Sequence, residues 1–164
     1  MSKRTGRIWA FGIFSFAILI IMLIRFFYGI QRDHWAERDD AVRIAASQAG
    51  LVTIESVAAF NGSEAYKTVI GTDAQGEKLV VWIGPDGPHA EKASSGISAD
   101  QAKEALLARS PGVEVLRVVP GKLNDDFVWE LFYRRHENGK DRYLYDYVKF
   151  ADGAHIDTYR LSLN

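Results

Sequence analysis

Seventeen consecutive uncharged, mostly apolar residues, Ile8 to Ile24, follow the short basic leader Met1 to Arg7. No side of this run is polar, so a helix made from it has no face to turn to water. At about 1.5 Å per residue it spans roughly 25 Å, slightly short of a hydrocarbon core of about 30 Å. The apolar character resumes past Arg25 through Phe26, Phe27, Tyr28 and Ile30. Arg25 can keep its stem in lipid and carry its guanidinium to the interface, which lengthens the usable span. Tyr28 and Trp35 stand near the far end, where amphipathic rings favour the headgroup layer. The sequence therefore predicts a transmembrane anchor over residues 8–30. Lys3, Arg4 and Arg7 hold the leader, residues 1–7, in the cytoplasm, and the rest of the chain faces outward across the cell membrane. The competing reading is a cleaved signal peptide. Residues 25–31 offer no small-x-small cleavage site, and a chain without cysteine cannot be a lipid-modified lipoprotein. An uncleaved anchor is the expectation.

About 130 residues then lie outside, enough for one ordinary domain or two small ones. Taking the leader and Arg25 from the net charge of −1 leaves about −5 for this outer part. A mildly acidic surface argues against nucleic acid as a partner, and against attraction to anionic lipid headgroups. Without cysteine there are no disulfide staples, no thiol chemistry and no thiolate metal site. The outer part must be stable from its core alone.

After a polar juxtamembrane connector, residues 31–38, the same order of elements occurs twice. Val42, Ala45, Ala46 and Ala49 recur at helical spacing and Gly50 stands at a C′ position. Strand-like runs follow at Val52–Phe60, Ala65–Ile70 and Lys78–Ile83, separated by Asn61-Gly62 and by residues 73–76. Gly84-Pro-Asp-Gly-Pro88 then breaks the chain. The second unit opens on Ser98-Ala-Asp-Gln101, a capping box, and its helix carries Ala99, Ala102, Ala105 and Leu106. Ser110-Pro-Gly112 ends that helix. Further strands are expected at Val113–Val119, Phe127–Arg134, Arg142–Phe150 and His155–Leu163, with hairpin signals at Asn138-Gly139 and Asp152-Gly153. The fold class is α+β: two repeats, residues 39–93 and 94–164, each a helix on a three- to four-stranded antiparallel sheet, with the boundary near Glu91–Gly96. Units of this size bury little surface alone, and two side by side can share a core.

A search for chemistry yields little. His34, His89, His136 and His155 are scattered and lack the local spacing zinc sites use. Asp39-Asp40 reads as charge at a helix start and Asp125-Asp126 as turn chemistry, and neither has the pKa separation that acid–base catalysis needs. Ser94, Ser95 and Ser110 sit in no nucleophile motif, and no glycine-rich loop opens a helix to cradle phosphate. The chain is expected to be no enzyme, with no metal, cofactor or small-molecule substrate. The aromatics are more suggestive. Phe127, Trp129, Leu131 and Tyr133 share one face of a strand; Tyr143, Tyr145 and Tyr147 share a face of the next. Paired through Asn138-Gly139, they could form one aromatic band. Core packing is the plainer account of such a band, yet tyrosines keep a polar tip and the helix opposite is mostly alanine. Trp129, Tyr133, Tyr143, Tyr145 and Tyr147 are therefore the candidate partner-binding residues.

The string Tyr66-Lys-Thr-Val-Ile-Gly-Thr-Asp-Ala-Gln-Gly76, with Leu79-Val-Val-Trp-Ile-Gly-Pro-Asp86, resembles the first outer repeat of the YpmB/TseB family. So do residues 96–102, Trp129-Glu-Leu-Phe-Tyr133 and residues 145–153, and the resemblance covers nearly the whole chain. It implies tandem PepSY-like, cystatin-related repeats on a membrane anchor in a Gram-positive bacterium. It also implies control of cell-wall (peptidoglycan) elongation through contact with a class B penicillin-binding protein. No catalytic residue is carried over. The chain departs from the family in the glycine- and proline-rich stretch 84–89, which leaves the placing of the two repeats open. PepSY modules in peptidase propeptides suggest the alternative, an inhibitor or chaperone of an extracytoplasmic peptidase.

Overall fold

In the structure, a computed structural model, the backbone is described for residues 3–161 and the side chains for 16–26 and 37–161. Helix α1 runs over Lys3–Ala49, so the expected connector 31–38 is helical. Asp39-Asp40 lies well inside α1 and not at a helix start, with Asp40 accepting from Arg43 one turn on at 2.6 Å. The side chains of the leader and most of those of the expected anchor, Tyr28 included, lie outside the described residues, as does that of Trp35. Among the described residues no helix is long and apolar enough to cross a membrane, so the anchor over residues 8–30 is not shown. Residues 1–39 and 40–164 form two compact units.

Within the second unit, Gly50 adopts a left-handed φ of 74° and turns the chain from α1 into a four-stranded antiparallel sheet. Its strands are β1 (Leu51–Asn61), β2 (Ala65–Asp73), β3 (Lys78–Gly84) and β4 (Gly87–Lys92), paired in chain order. β4 corrects the reading of Gly84-Pro-Asp-Gly-Pro88 as a break. Gly84 pairs with Gly87, and Gly87 at φ 97° closes a two-residue turn around Pro85-Asp86. This stretch is thus a hairpin inside the first repeat. One face of the sheet, with Leu51, Val69 and Val81, packs on Ala41 and Ala45 of α1. The apolar stripe is thus 41/45 with Ala49 at its edge; Ala46 is exposed.

A single 3-10 turn, Ala93–Ser95, leads to α2 (Ala99–Arg109). The capping box is formed: Ser98 Oγ accepts from Gln101 N at 3.2 Å, and Gln101 Oε1 accepts from Ser98 N at 2.8 Å. Ala102 and Leu106 are the buried pair of α2, repeating the i, i+4 pattern of Ala41 and Ala45. The second sheet is β5 (Glu114–Leu123), β6 (Asp126–Glu137), β7 (Lys140–Lys149) and β8 (His155–Arg160), again antiparallel in chain order. Asn138 and Gly139 both take positive φ, 52° and 73°, in the two-residue turn that joins Glu137 to Lys140.

The two repeats share one core. The other face of the first sheet, carrying Phe60, Tyr66, Val80 and Trp82, closes on the end of the second sheet nearest the β5–β6 turn. Trp82 packs between Phe127 (4.5 Å between ring centroids) and Phe150 (5.1 Å), and His89 from β4 stacks on Phe127 at 4.4 Å. On the other side of the same sheet end, the Phe60 ring meets Tyr147 edge-on at 6.3 Å. Phe60 fits because residue 121 is glycine; a Cβ there would lie 2.2 Å from its ring. The first repeat therefore grips one end of the second sheet and leaves the β6–β7 hairpin end open.

Candidate functional site, the open face of the second sheet

Register decides which side chains stand together. Glu137 pairs with Lys140, so Tyr143, Tyr145 and Tyr147 lie opposite Arg134, Phe132 and Glu130. Trp129, Leu131 and Tyr133 lie opposite Val148, Asp146 and Leu144. Directly paired residues share a face, so the single aromatic band expected from the sequence does not form. The five candidates divide, Trp129 and Tyr133 on one face, Tyr143, Tyr145 and Tyr147 on the other.

The first face is core. Trp129 is buried and donates Nε1–H to the Ile97 carbonyl at 2.9 Å. Tyr133 is buried, and its phenol pKa is raised by desolvation first and by the Asp146 charge second. Asp146, 3% exposed at its side chain, accepts from Arg109 of α2 at 2.6 Å and meets His155 and Thr158 of β8. A cleft of about 190 Å³ remains beside the start of α2, lined by Ile70, Val80, Ile97, Trp129 and Phe150.

The second face is built of cross-strand rows. Nearest the first repeat, Val119, Glu130, Tyr147 and Asp157 form a mostly covered row. Glu130 is buried, accepting from Arg117 at 2.6 Å and from the Tyr147 hydroxyl at 3.1 Å. Burial, then the charge of Glu130, pushes the Tyr147 phenol far up from its ordinary 10.0. Tyr147 is thus a support. The next row is Arg117, Phe132, Tyr145 and Tyr159, one from each strand. Phe132 and Tyr145 are half-buried and stack at 4.8 Å; Tyr159 is 53% exposed. Beyond it lie Glu114, Arg134 and Tyr143, with Arg134 bridging Glu114 and Asp141. Phe132 also stacks on Tyr143, at 5.9 Å. Ring edges, hydroxyl tips and guanidinium groups thus share an open surface. Tyr and Arg are the types that carry much of the energy at protein interfaces.

Phe132, Arg117 and Tyr159 are absent from the residues expected from sequence. The signal was present: a two-residue turn at 138–139 fixes pairs whose numbers sum to 277, which sets Phe132 beside Tyr145. The other sequence candidates are structurally occupied. His89, His136 and His155 each meet a carboxylate, of Glu91, Asp141 and Asp146; the side chain of His34 lies outside the described residues. Asp126, at the start of β6, pairs with Lys149 at the end of β7. Ser95 bonds Glu91, and Ser110 caps α2 and accepts from Arg135. Among the described residues no three metal-ligating side chains converge.

Comparison with known proteins agrees with this architecture. Residues 40–84, most of the first repeat, match the family model of the cell wall elongation regulator TseB-like domain. The chain is 28% identical over 155 residues to the probable cell wall elongation regulator TseB of Bacillus subtilis (strain 168). That match covers 87% of this chain and 88% of the relative. The solved structure of the YpmB protein from Bacillus subtilis superposes with a TM-score of 0.66 at 26% identity, over 76% of this chain and 97% of that one. Sequence order, repeat architecture and the three matches converge, and the chain is similar to the YpmB/TseB-like family over most of its length.

Proposed function

We propose that this protein is a non-enzymatic regulator of cell-wall elongation, held at the outer face of the cell membrane, that binds a class B penicillin-binding protein. The regulatory role follows the name of the relative, a probable cell wall elongation regulator. The observation that carries the binding reading is the row Arg117–Phe132–Tyr145–Tyr159, a Tyr- and Arg-rich surface that no other element of residues 40–164 covers fully. Such a face suits a protein partner better than a reaction, because its charged groups are already paired. Anchoring is supported by the described part of the apolar run. Phe16, Leu19, Ile21, Met22, Leu23, Ile24 and Phe26 are all exposed and together surround the helix. Such a girdle calls for lipid. An anchor confines both partners to one plane, so modest affinity suffices.

The test is capture of the full-length protein from native membranes, with labelled penicillin revealing any transpeptidase that comes with it. The expected result is a labelled band that the unaltered protein retains and a folded Tyr145→Ser/Tyr159→Ser variant loses. Equal capture by that variant would remove this face from consideration. An enriched peptidase without any labelled band would replace the reading with inhibition of an extracytoplasmic peptidase.

A further inference from the structure

The two faces of the second sheet differ in charge at their open end. On the face shared with Tyr133 and Leu144, Arg135 stands directly opposite Arg142, and Arg160 of β8 stands opposite Leu144 and diagonal to Arg142. Lys140 lies on the same face at the hairpin tip, opposite Glu137, and Arg109 reaches it from the last turn of α2. Five cations thus gather over three strands and a helix end. Residues 40–164 as a whole carry fourteen Lys and Arg against eighteen Asp and Glu, so the cluster opposes the charge of its own unit.

Part of the cluster has a structural explanation. Arg109 neutralises buried Asp146. Arg135 donates to Ser110 Oγ at 3.1 Å, contacts Glu137 at 3.4 Å and lies over the Tyr133 ring, beside the C-terminus of α2 where positive charge is favoured. The side chains of Arg142, Arg160 and Lys140 make no hydrogen bond or ion pair among the described residues. Like charges directly opposite across a strand pair destabilise it, so the Arg135–Arg142 pair is a cost that an anion would offset. Guanidinium groups offered from three strands suit a tetrahedral group with oxygens in several directions; a planar carboxylate is satisfied by one fork. The spread from Lys140 to Arg160 exceeds what one such group needs and fits a repeat of them.

We propose that the Arg135–Arg142–Arg160 face binds successive phosphate groups of a linear phosphate polymer. This face is the reverse of the Tyr145 surface, so the proposal stands or falls separately from partner binding there. The probe is linear polyphosphate, titrated into the full-length protein in neutral detergent at low salt, with polyglutamate of equal length as the carboxylate arm. Arg142→Gln/Arg160→Gln should weaken polyphosphate binding at least about tenfold. A charge-matched Arg43→Gln/Lys103→Gln variant should leave it unchanged. Polyglutamate should bind at least about tenfold more weakly than polyphosphate. Equal binding of the two polymers would overturn the proposal in favour of an acidic protein segment. Displacement of polyphosphate by phosphatidylglycerol in the micelle, but not by phosphatidylcholine, would overturn it in favour of a lipid surface. No binding, or equal loss in the control variant, would leave the cluster an ordinary solvated face. Unchanged thermal unfolding of both variants keeps the comparison free of misfolding.

Discussion

Glu130 and Asp146 are buried on opposite faces of the second sheet, and each is held by an arginine that reaches in from a more exposed position. Removing a buried carboxylate strands its partners. Glu130→Ala leaves the Tyr147 hydroxyl without its acceptor and is expected to cost about 2–4 kcal/mol. Glu130→Gln keeps an acceptor for that hydroxyl and should cost less than half as much. Thermal unfolding of both variants checks the order, and equal losses would mean that the charge alone matters. Tyr147 adds a pH dependence. Its folded pKa is raised, so the unfolded chain releases this proton first, and the stability it lends is whole below about pH 10. Stability should therefore fall as pH rises beyond about 10, and Tyr147→Phe should flatten that fall. An unchanged alkaline slope in the variant would assign the effect to other groups.

At the scale of elements, local signals were readable where one residue type enforces one geometry. Ser98 and Gln101 announce the start of α2, Gly50 the end of α1, and Asn138-Gly139 the sharpest hairpin. Ser98→Ala should cost about 1 kcal/mol, seen as a lowered unfolding midpoint, because Gln101 N loses its acceptor. What escaped was whatever depends on pairing. β4 was hidden because Gly84-Pro-Asp-Gly87 has the composition of a chain break as well as that of a turn. The division of the tyrosines escaped because alternation shows which residues of one strand share a face but not how two strands align. The Arg135–Arg142 pair was hidden the same way, and the overall negative charge concealed a positive face.

For the molecule as a whole, the duplication is one plan used with different outcomes. In the first repeat both faces of the sheet are covered, by α1 and by the second repeat; in the second, both faces stay open toward the β6–β7 hairpin end, and the Tyr145 face gives the protein its candidate surface. The joint between repeats rests on a few large rings. Phe60→Ala should cost about 3–5 kcal/mol, and Gly121→Ala about 1–3 kcal/mol by forcing the same ring out of place. Were the repeats independent, unfolding would divide into two transitions and the first variant would lower only one; a single cooperative transition is expected in both proteins.

That joint also sets an order of events in the making of the protein. Phe60 and Trp82 are synthesised early, while Gly121, Phe127, Tyr147 and Phe150, which enclose them, come much later. A nascent chain that has reached only Lys92 carries a complete first sheet with its largest rings still wet. Chains truncated before β7 would thus expose sticky aromatic surface, and proteases that patrol for such surface could remove unfinished copies before they compete for a partner.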